Sequence, residues 1–123
     1  ELNLIPRLNA FITRVHVAVK EQLDQGARLE NVAASLNVSP ATLRRRLRAY
    51  GTTFTTLLDD LRREHARRYL REPERNIAEI AYQLGFAHAP AFHRACKRWF
   101  QQSPSELRDS LASHPVSRLW RQG

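Results

Sequence analysis

The feature that most narrows what this chain can fold into is an internal repeat. Val32-Ala33 corresponds to Ile80-Ala81, Leu36 to Leu84 and Asn37-Val38 to Gly85-Phe86, all at one constant offset. After one extra residue in the second copy, Leu43 corresponds to Phe92, Arg44-Arg45 to His93-Arg94 and Leu47 to Cys96. Ala33 and Ala81 let two helices cross closely. Asn37 and Gly85 tolerate the positive φ of a tight turn, and Val38 and Phe86 fill the space between the helices. Each copy therefore reads as a helix-turn-helix, with apolar residues four apart on its second helix turned inward and the outer face of that helix left free.

The remaining periodicity is helical too. A first helix is expected from Leu8 to Gln25, with Leu8, Phe11, Ile12, Val15, Val19 and Leu23 on one stripe and Gly26 as its stop; the alternation Val15, Val17, Val19 leaves a strand as the minority reading. A short helix from Leu29 to Leu36 precedes Ser39-Pro40, an N-cap followed by proline, which opens a helix to Tyr50. A long helix runs from Thr53 or Phe54 to Arg71, with Phe54, Leu58, Leu61, His65 and Tyr69 on its inner face and Leu57, Ala66 and Leu70 widening it; Pro73 forbids its continuation. Asn76 caps a helix to Leu84, another spans Ala89 to Phe100, and Ser103-Pro104 opens a last one ending near Ser110. The expected fold is all-α, with about seven helices. It divides into a first helix-turn-helix subdomain (1–52), a linker helix (53–72), a second helix-turn-helix subdomain (73–112) and a weakly ordered tail (113–123) holding Pro115 and Trp120.

Charge narrows the partner. Twenty Lys+Arg against twelve Asp+Glu give a net +8, a field that attracts polyanions before any specific contact forms. The outer face of the first repeat's second helix carries Ala41, Arg44, Arg45 and Arg48; that of the second carries Ala89, Pro90, His93, Arg94 and Lys97. A basic helix of this kind fits a major groove, where arginine forks onto guanine and small residues touch thymine methyls. A charge run is usually only a solvated face, but here it coincides with the second helix of two successive motifs. Double-stranded DNA is therefore the expected partner. Ala41, Arg44, Arg45, Arg48, His93, Arg94 and Lys97 are candidates for base contacts; Ser39, Thr42, Arg67, Arg71, Asn76, Arg98 and Ser103 are candidates for phosphate contacts. The linker arginines Arg62, Arg63, Arg67, Arg68 and Arg71 either clasp phosphates or pair with Asp59, Asp60 and Glu64, and the i,i+4 pairs available in the sequence favour pairing. At about 1.5 Å per residue, Phe54 to Arg71 spans about 27 Å, close to the roughly 34 Å between successive major grooves. Since the two copies differ, one domain would read an asymmetric site.

These residues resemble the AraC/XylS-type transcription regulators. The resemblance is carried by Ser39 to Leu47 (SPATLRRRL), Leu61-Arg62-Arg63-Glu64 with Ala66 and Leu70, Ile77 to Ala81 with Gly85-Phe86, and Phe92 to Ala95 with Lys97-Arg98 and Ser103-Pro104. It implies two helix-turn-helix units joined by a long helix, and bacterial transcription regulation as an activator in contact with RNA polymerase. It also implies a separate effector-sensing or dimerisation domain, of which a chain opening on Glu1 with no methionine would be the C-terminal companion. Three positions depart from the family pattern: Cys96 where phenylalanine is usual, Pro90 where a polar residue is common, and Gln101-Gln102 where a glycine follows the aromatic.

Other functions are poorly provided for. His88, His93 and Cys96 suggest a metal site, but Cys96 falls at a core position and structural sites take four ligands. No glycine-rich phosphate loop, Gly-x-Ser-x-Gly or His-Glu-x-x-His occurs, so neither an enzyme nor a metal or organic cofactor is expected. His16, His65 and His114 have no sequence partners. A basic helical module for RNA or a protein partner is the alternative, yet Phe54, Phe86, Phe92, Trp99 and Phe100 sit at core spacing rather than free for base stacking. The first helix scatters Arg14 and Lys20 too widely for membrane binding. With a single cysteine and no bilayer-length apolar run, the expected location is cytoplasmic, associated with the nucleoid when bound.

Overall fold

A computed structural model describes residues 4–113. Seven α-helices and one 3-10 turn, with no strand, form the described residues: α1 (Leu4–Glu21), the turn Leu23–Gln25, α2 (Leu29–Ser35), α3 (Pro40–Ala49), α4 (Phe54–Leu70), α5 (Ile77–Gln83), α6 (Ala89–Phe100) and α7 (Pro104–Ser113). The chain divides into two compact units, with the boundary between Arg62 and Arg63 inside α4. The tail expected to be weakly ordered lies, from residue 114 on, outside the described residues. No described helix is long and apolar enough to cross a membrane.

In the first unit α1 packs on α2 and on the 3-10 turn, and α2 packs on α3. The stripe Ile12, Val15, Val19 and Leu23 is buried together with Ala18, Val32, Ala33, Leu36, Leu43, Leu47 and Leu57. Val15 and Val19, four apart, are fully buried while Val17 is 49% exposed, which is helical and not strand geometry. The first helix differs from expectation at both ends. It starts at Leu4, placing Pro6 in the first turn, where no intrahelical N–H bond is required. It stops at Glu21, because the Gln22 N–H is shared between the Ala18 and Val19 carbonyls and the chain tightens into the 3-10 turn. Gly26 (φ 93°) and the buried Ala27 (φ 48°) then turn through the left-handed region. Arg46, alone among the arginines of α3, lies over an aromatic ring of α1, its guanidinium 4.9 Å from the centroid of Phe11.

α4 begins at a Thr53 cap, whose Oγ1 accepts from the Thr56 N–H at 3.1 Å. The deepest residues along it are Leu57, His65, Ala66 and Leu70, while Phe54, Leu58, Leu61 and Tyr69, expected to lead the inner face, are only half-buried. In the second unit α5 packs on α6 and α6 on α7. Its core is aromatic: Phe86 lies 5.5 Å from Phe92 and 6.1 Å from Trp99, and Trp99 lies 5.9 Å from Phe100. Arg108 of α7 donates from Nε to the carbonyl of Leu70 at 3.1 Å, capping the end of α4. α7 runs three residues beyond the Ser110 expected as its end.

Candidate nucleic-acid interface

The two turns close with matching hydrogen bonds. The Val38 N–H donates to the Ala33 carbonyl at 3.1 Å and the Phe86 N–H to the Ala81 carbonyl at 3.0 Å; the Asn37 N–H reaches Ala34 at 3.1 Å and the Gly85 N–H reaches Tyr82 at 3.0 Å. Asn37 (φ 59°) and Gly85 (φ 87°) take the left-handed conformation that the turns require. Five paired apolar positions of the repeat, Val32 with Ile80, Ala33 with Ala81, Leu36 with Leu84, Leu43 with Phe92 and Leu47 with Cys96, are buried, while the turn plugs Val38 and Phe86 are half-buried. The inward faces of α3 and α6 are thus occupied by core, and their outer faces are what remains.

On α3 the outer face is Ala41, Arg44, Arg45 and Arg48, all exposed. Among the described residues, none of these three guanidinium groups has a hydrogen-bond or ion-pair partner. On α6, Pro90, His93, Arg94 and Lys97 are exposed and Ala89 is half-buried. Lys97 is less free than its counterparts: its Nζ lies 3.6 Å from a carboxylate oxygen of Glu106. On α4, Arg71 is exposed, and Arg67, also exposed, stacks 5.4 Å from the Phe100 centroid. Arg98 lies 5.5 Å from the Trp99 ring. Arg62 is half-buried; burial lowers its pKa, partly offset by neighbouring Asp59.

The polar phosphate candidates hold helix ends. Ser39 Oγ accepts from the Thr42 N–H at 3.0 Å and donates to the Thr42 hydroxyl at 2.9 Å. Asn76 Oδ1 accepts from the Ala78 and Glu79 N–H groups. At α7, Ser103 Oγ accepts from the Glu106 N–H while Glu106 Oε1 accepts from the Ser103 N–H at 2.8 Å, a reciprocal box that holds the Glu106 carboxyl below its usual range. His88 caps α6, its Nδ1 accepting from the Ala91 N–H at 3.3 Å, a role that its sequence position beside His93 and Cys96 did not reveal.

A family profile described as a helix-turn-helix domain matches residues 32–110. The chain belongs to the AraC-type helix-turn-helix family of DNA-binding transcription regulators. It is similar to the HTH-type transcriptional regulator VirS of Mycobacterium tuberculosis, 39% identical over 64% of this chain and 23% of that protein. Among solved structures it resembles the C-terminal domain of AraT, a response regulator from Geobacillus stearothermophilus, with 33% identity, TM-score 0.71, and coverage of 80% of this chain and 84% of that one. A transcriptional regulator from Chromobacterium violaceum, described as containing an AraC-type DNA-binding domain, shares the fold, with TM-score 0.74 at 23% identity over 94% of this chain and 99% of that one. The chain spans between 22% and 38% of the length of the curated relatives to which it is similar.

Within this AraC-type domain, two of the unusual residues have clear physical consequences. Cys96 is fully buried, and burial pushes its thiol up to about 12. Since the thiolate is the reactive species, native protein at pH 8 is expected not to react with a thiol-specific disulfide reagent, and to react fully once unfolded in urea. Fast labelling of the folded protein would contradict this. Among the described residues, no three His, Cys, Asp or Glu side chains gather where a metal ion would be held. Gln101 ends α6 in the left-handed conformation (φ 59°), at the position where a family glycine would sit without strain. Gln101→Gly is therefore expected to stabilise the domain by about 1 kcal/mol, measured as a higher urea midpoint with an unchanged slope. An unchanged or lower midpoint would refute the strain.

Proposed function

We propose that this chain binds duplex DNA sequence-specifically, with α3 and α6 as reading helices in successive major grooves of one asymmetric site. The observation that carries the reading is the arginine face of α3: Arg44, Arg45 and Arg48 are exposed, on the second helix of a helix-turn-helix, without a carboxylate partner among the described residues. A charge with no structural use inside the fold is available to a polyanion. Ala41, Arg44, Arg45 and Arg48 are assigned to bases under the first unit, and His93 and Arg94, with Lys97 when released from Glu106, to bases under the second. Arg67, Arg71 and Arg98, with the start of α3 at Ser39 and Thr42, are assigned to phosphates; Asn76 and Ser103 serve first as caps. The length of α4, 17 residues or about 25 Å, supports a spacing near one helical turn of DNA. The greater length of the relatives supports a setting beside a further domain, for effector sensing or dimerisation; contact with RNA polymerase and a cytoplasmic, nucleoid-bound location rest on the family resemblance alone.

The experiment is a fluorescence-anisotropy titration of a random duplex pool at several salt concentrations, with helicity checked by circular dichroism. Neutralising about four phosphates predicts an affinity loss of about 100-fold between 50 and 200 mM salt. Folded protein that fails to retain duplex even at low salt would refute the proposal.

A further inference from the structure

Beside the reading face, and within the first unit, α2, α3 and the start of α4 border a half-open cavity of about 300 Å³ lined by Leu29, Arg44, Arg48, Thr53, Phe54 and Thr55. Its chemistry is two-sided. Leu29 and Phe54 supply apolar wall, and both are half-buried. Arg44 and Arg48, one helical turn apart on α3, supply two guanidinium groups, and among the described residues no carboxylate lines the space to neutralise them. Thr53 is already committed, its Oγ1 accepting from the Thr56 N–H and donating to the Thr56 hydroxyl at 3.0 Å. The Thr55 hydroxyl has no hydrogen-bond partner among the described residues.

A bare phosphate would gain from the arginines but leave Leu29 and Phe54 facing water, and a neutral apolar molecule would desolvate two cations without compensation. A molecule that joins one carboxylate to a compact apolar body satisfies both halves. The carboxylate takes charge-assisted bonds from the forks of Arg44 and Arg48, and the body covers Leu29 and Phe54. The volume stands at the small end of the range of about 300–1,000 Å³ typical of ligand sites, which suits a bicyclic or short-chain acid and not a larger cofactor.

We infer that this cavity binds a small amphipathic organic anion, and that an occupied cavity removes Arg44 and Arg48 from DNA. Only the second half rests on the reading of α3 given above; the first is measurable without DNA. The direct test is a two-dimensional amide NMR titration of the chain with 2-naphthoate, run beside 2-naphthylmethylammonium, 2-naphthalenemethanol and inorganic phosphate at equal concentration. The expected result is a saturable shift of the amides of Leu29, Thr53, Phe54 and Thr55 with 2-naphthoate and with none of the other three. Arg48→Ala is expected to weaken that binding by about tenfold with the rest of the spectrum intact. Absence of a saturable shift, an equal response to phosphate or to the uncharged and cationic analogues, or unchanged affinity in Arg48→Ala would each overturn the site. In a second arm, 2-naphthoate at saturation should weaken duplex binding measured by anisotropy. Unchanged duplex affinity alongside clear cavity binding would overturn the competition, and a protein that takes 2-naphthoate but no duplex would count against the DNA reading alone.

Discussion

Phe92→Ala is expected to destabilise the second unit by about 3–5 kcal/mol, enough to unfold a domain of ordinary stability. Phe92 is the largest of the fully buried side chains, sits on the inner face of α6 and packs 5.5 Å from Phe86, the plug of the turn. Truncation removes apolar area and leaves a cavity in the core of the second unit. The matching substitution in the first repeat, Leu43→Ala, is expected to cost about 2–5 kcal/mol by the same mechanism. Urea unfolding followed by Trp99 fluorescence in a Trp120→Phe background reads the Phe92 effect directly. A cost under about 1 kcal/mol would mean that the core assigned to the second repeat is wrong.

The second large effect is on recognition. Arg44→Ala or Arg45→Ala is expected to lose about 1–3 kcal/mol on the preferred site and to relax the base preference there, since each removes a fork that no side chain replaces. Arg46 is a control within the same run of sequence. Its guanidinium is placed over Phe11, so Arg46→Ala should loosen α1 by roughly 0.5–1 kcal/mol and leave the ratio of specific to nonspecific affinity alone. Arg67→Ala should weaken all duplexes alike. If the ratio were unchanged in both Arg44→Ala and Arg45→Ala, α3 would not be reading bases.

The contrast between Arg44 and Arg46 shows where the sequence was legible and where it was not. Local rules located Ser39, Asn76 and Ser103 as caps, Asn37 and Gly85 as left-handed turn residues, and the paired core of the repeat, because each depends on neighbours within a turn or two. The family resemblance added the overall arrangement of helices. What periodicity left out is set by contacts between elements distant in sequence: Arg46 on Phe11, and Arg108 on the carbonyl of Leu70. Lys97 looked like its arginine counterparts until α7 brought Glu106 alongside. The cap at His88 was missed because caps are usually Ser, Thr, Asp or Asn, whereas here an imidazole nitrogen takes the N–H of Ala91. The end of α1 was missed for a third reason, a 3-10 turn that continues the apolar spacing to Leu23 after the α-helical hydrogen bonds have stopped.

The central claim is that two unlike helices read one asymmetric site, the first more selectively than the second. α6 offers fewer groups to base edges: Pro90 has no amide proton, Ala89 and Ala91 have no polar side-chain atoms, and Lys97 is shared with Glu106. The most direct test is a systematic base-pair substitution scan of the bound site, oriented by cleavage reagents tethered to each unit in turn. The account predicts one binding orientation, penalties of about 1–3 kcal/mol for substitutions under Arg44 and Arg45, and smaller penalties one helical turn away under His93 and Arg94, where phosphate contacts and DNA shape dominate. A palindromic site, or penalties under α6 equal to or larger than those under α3, would contradict it.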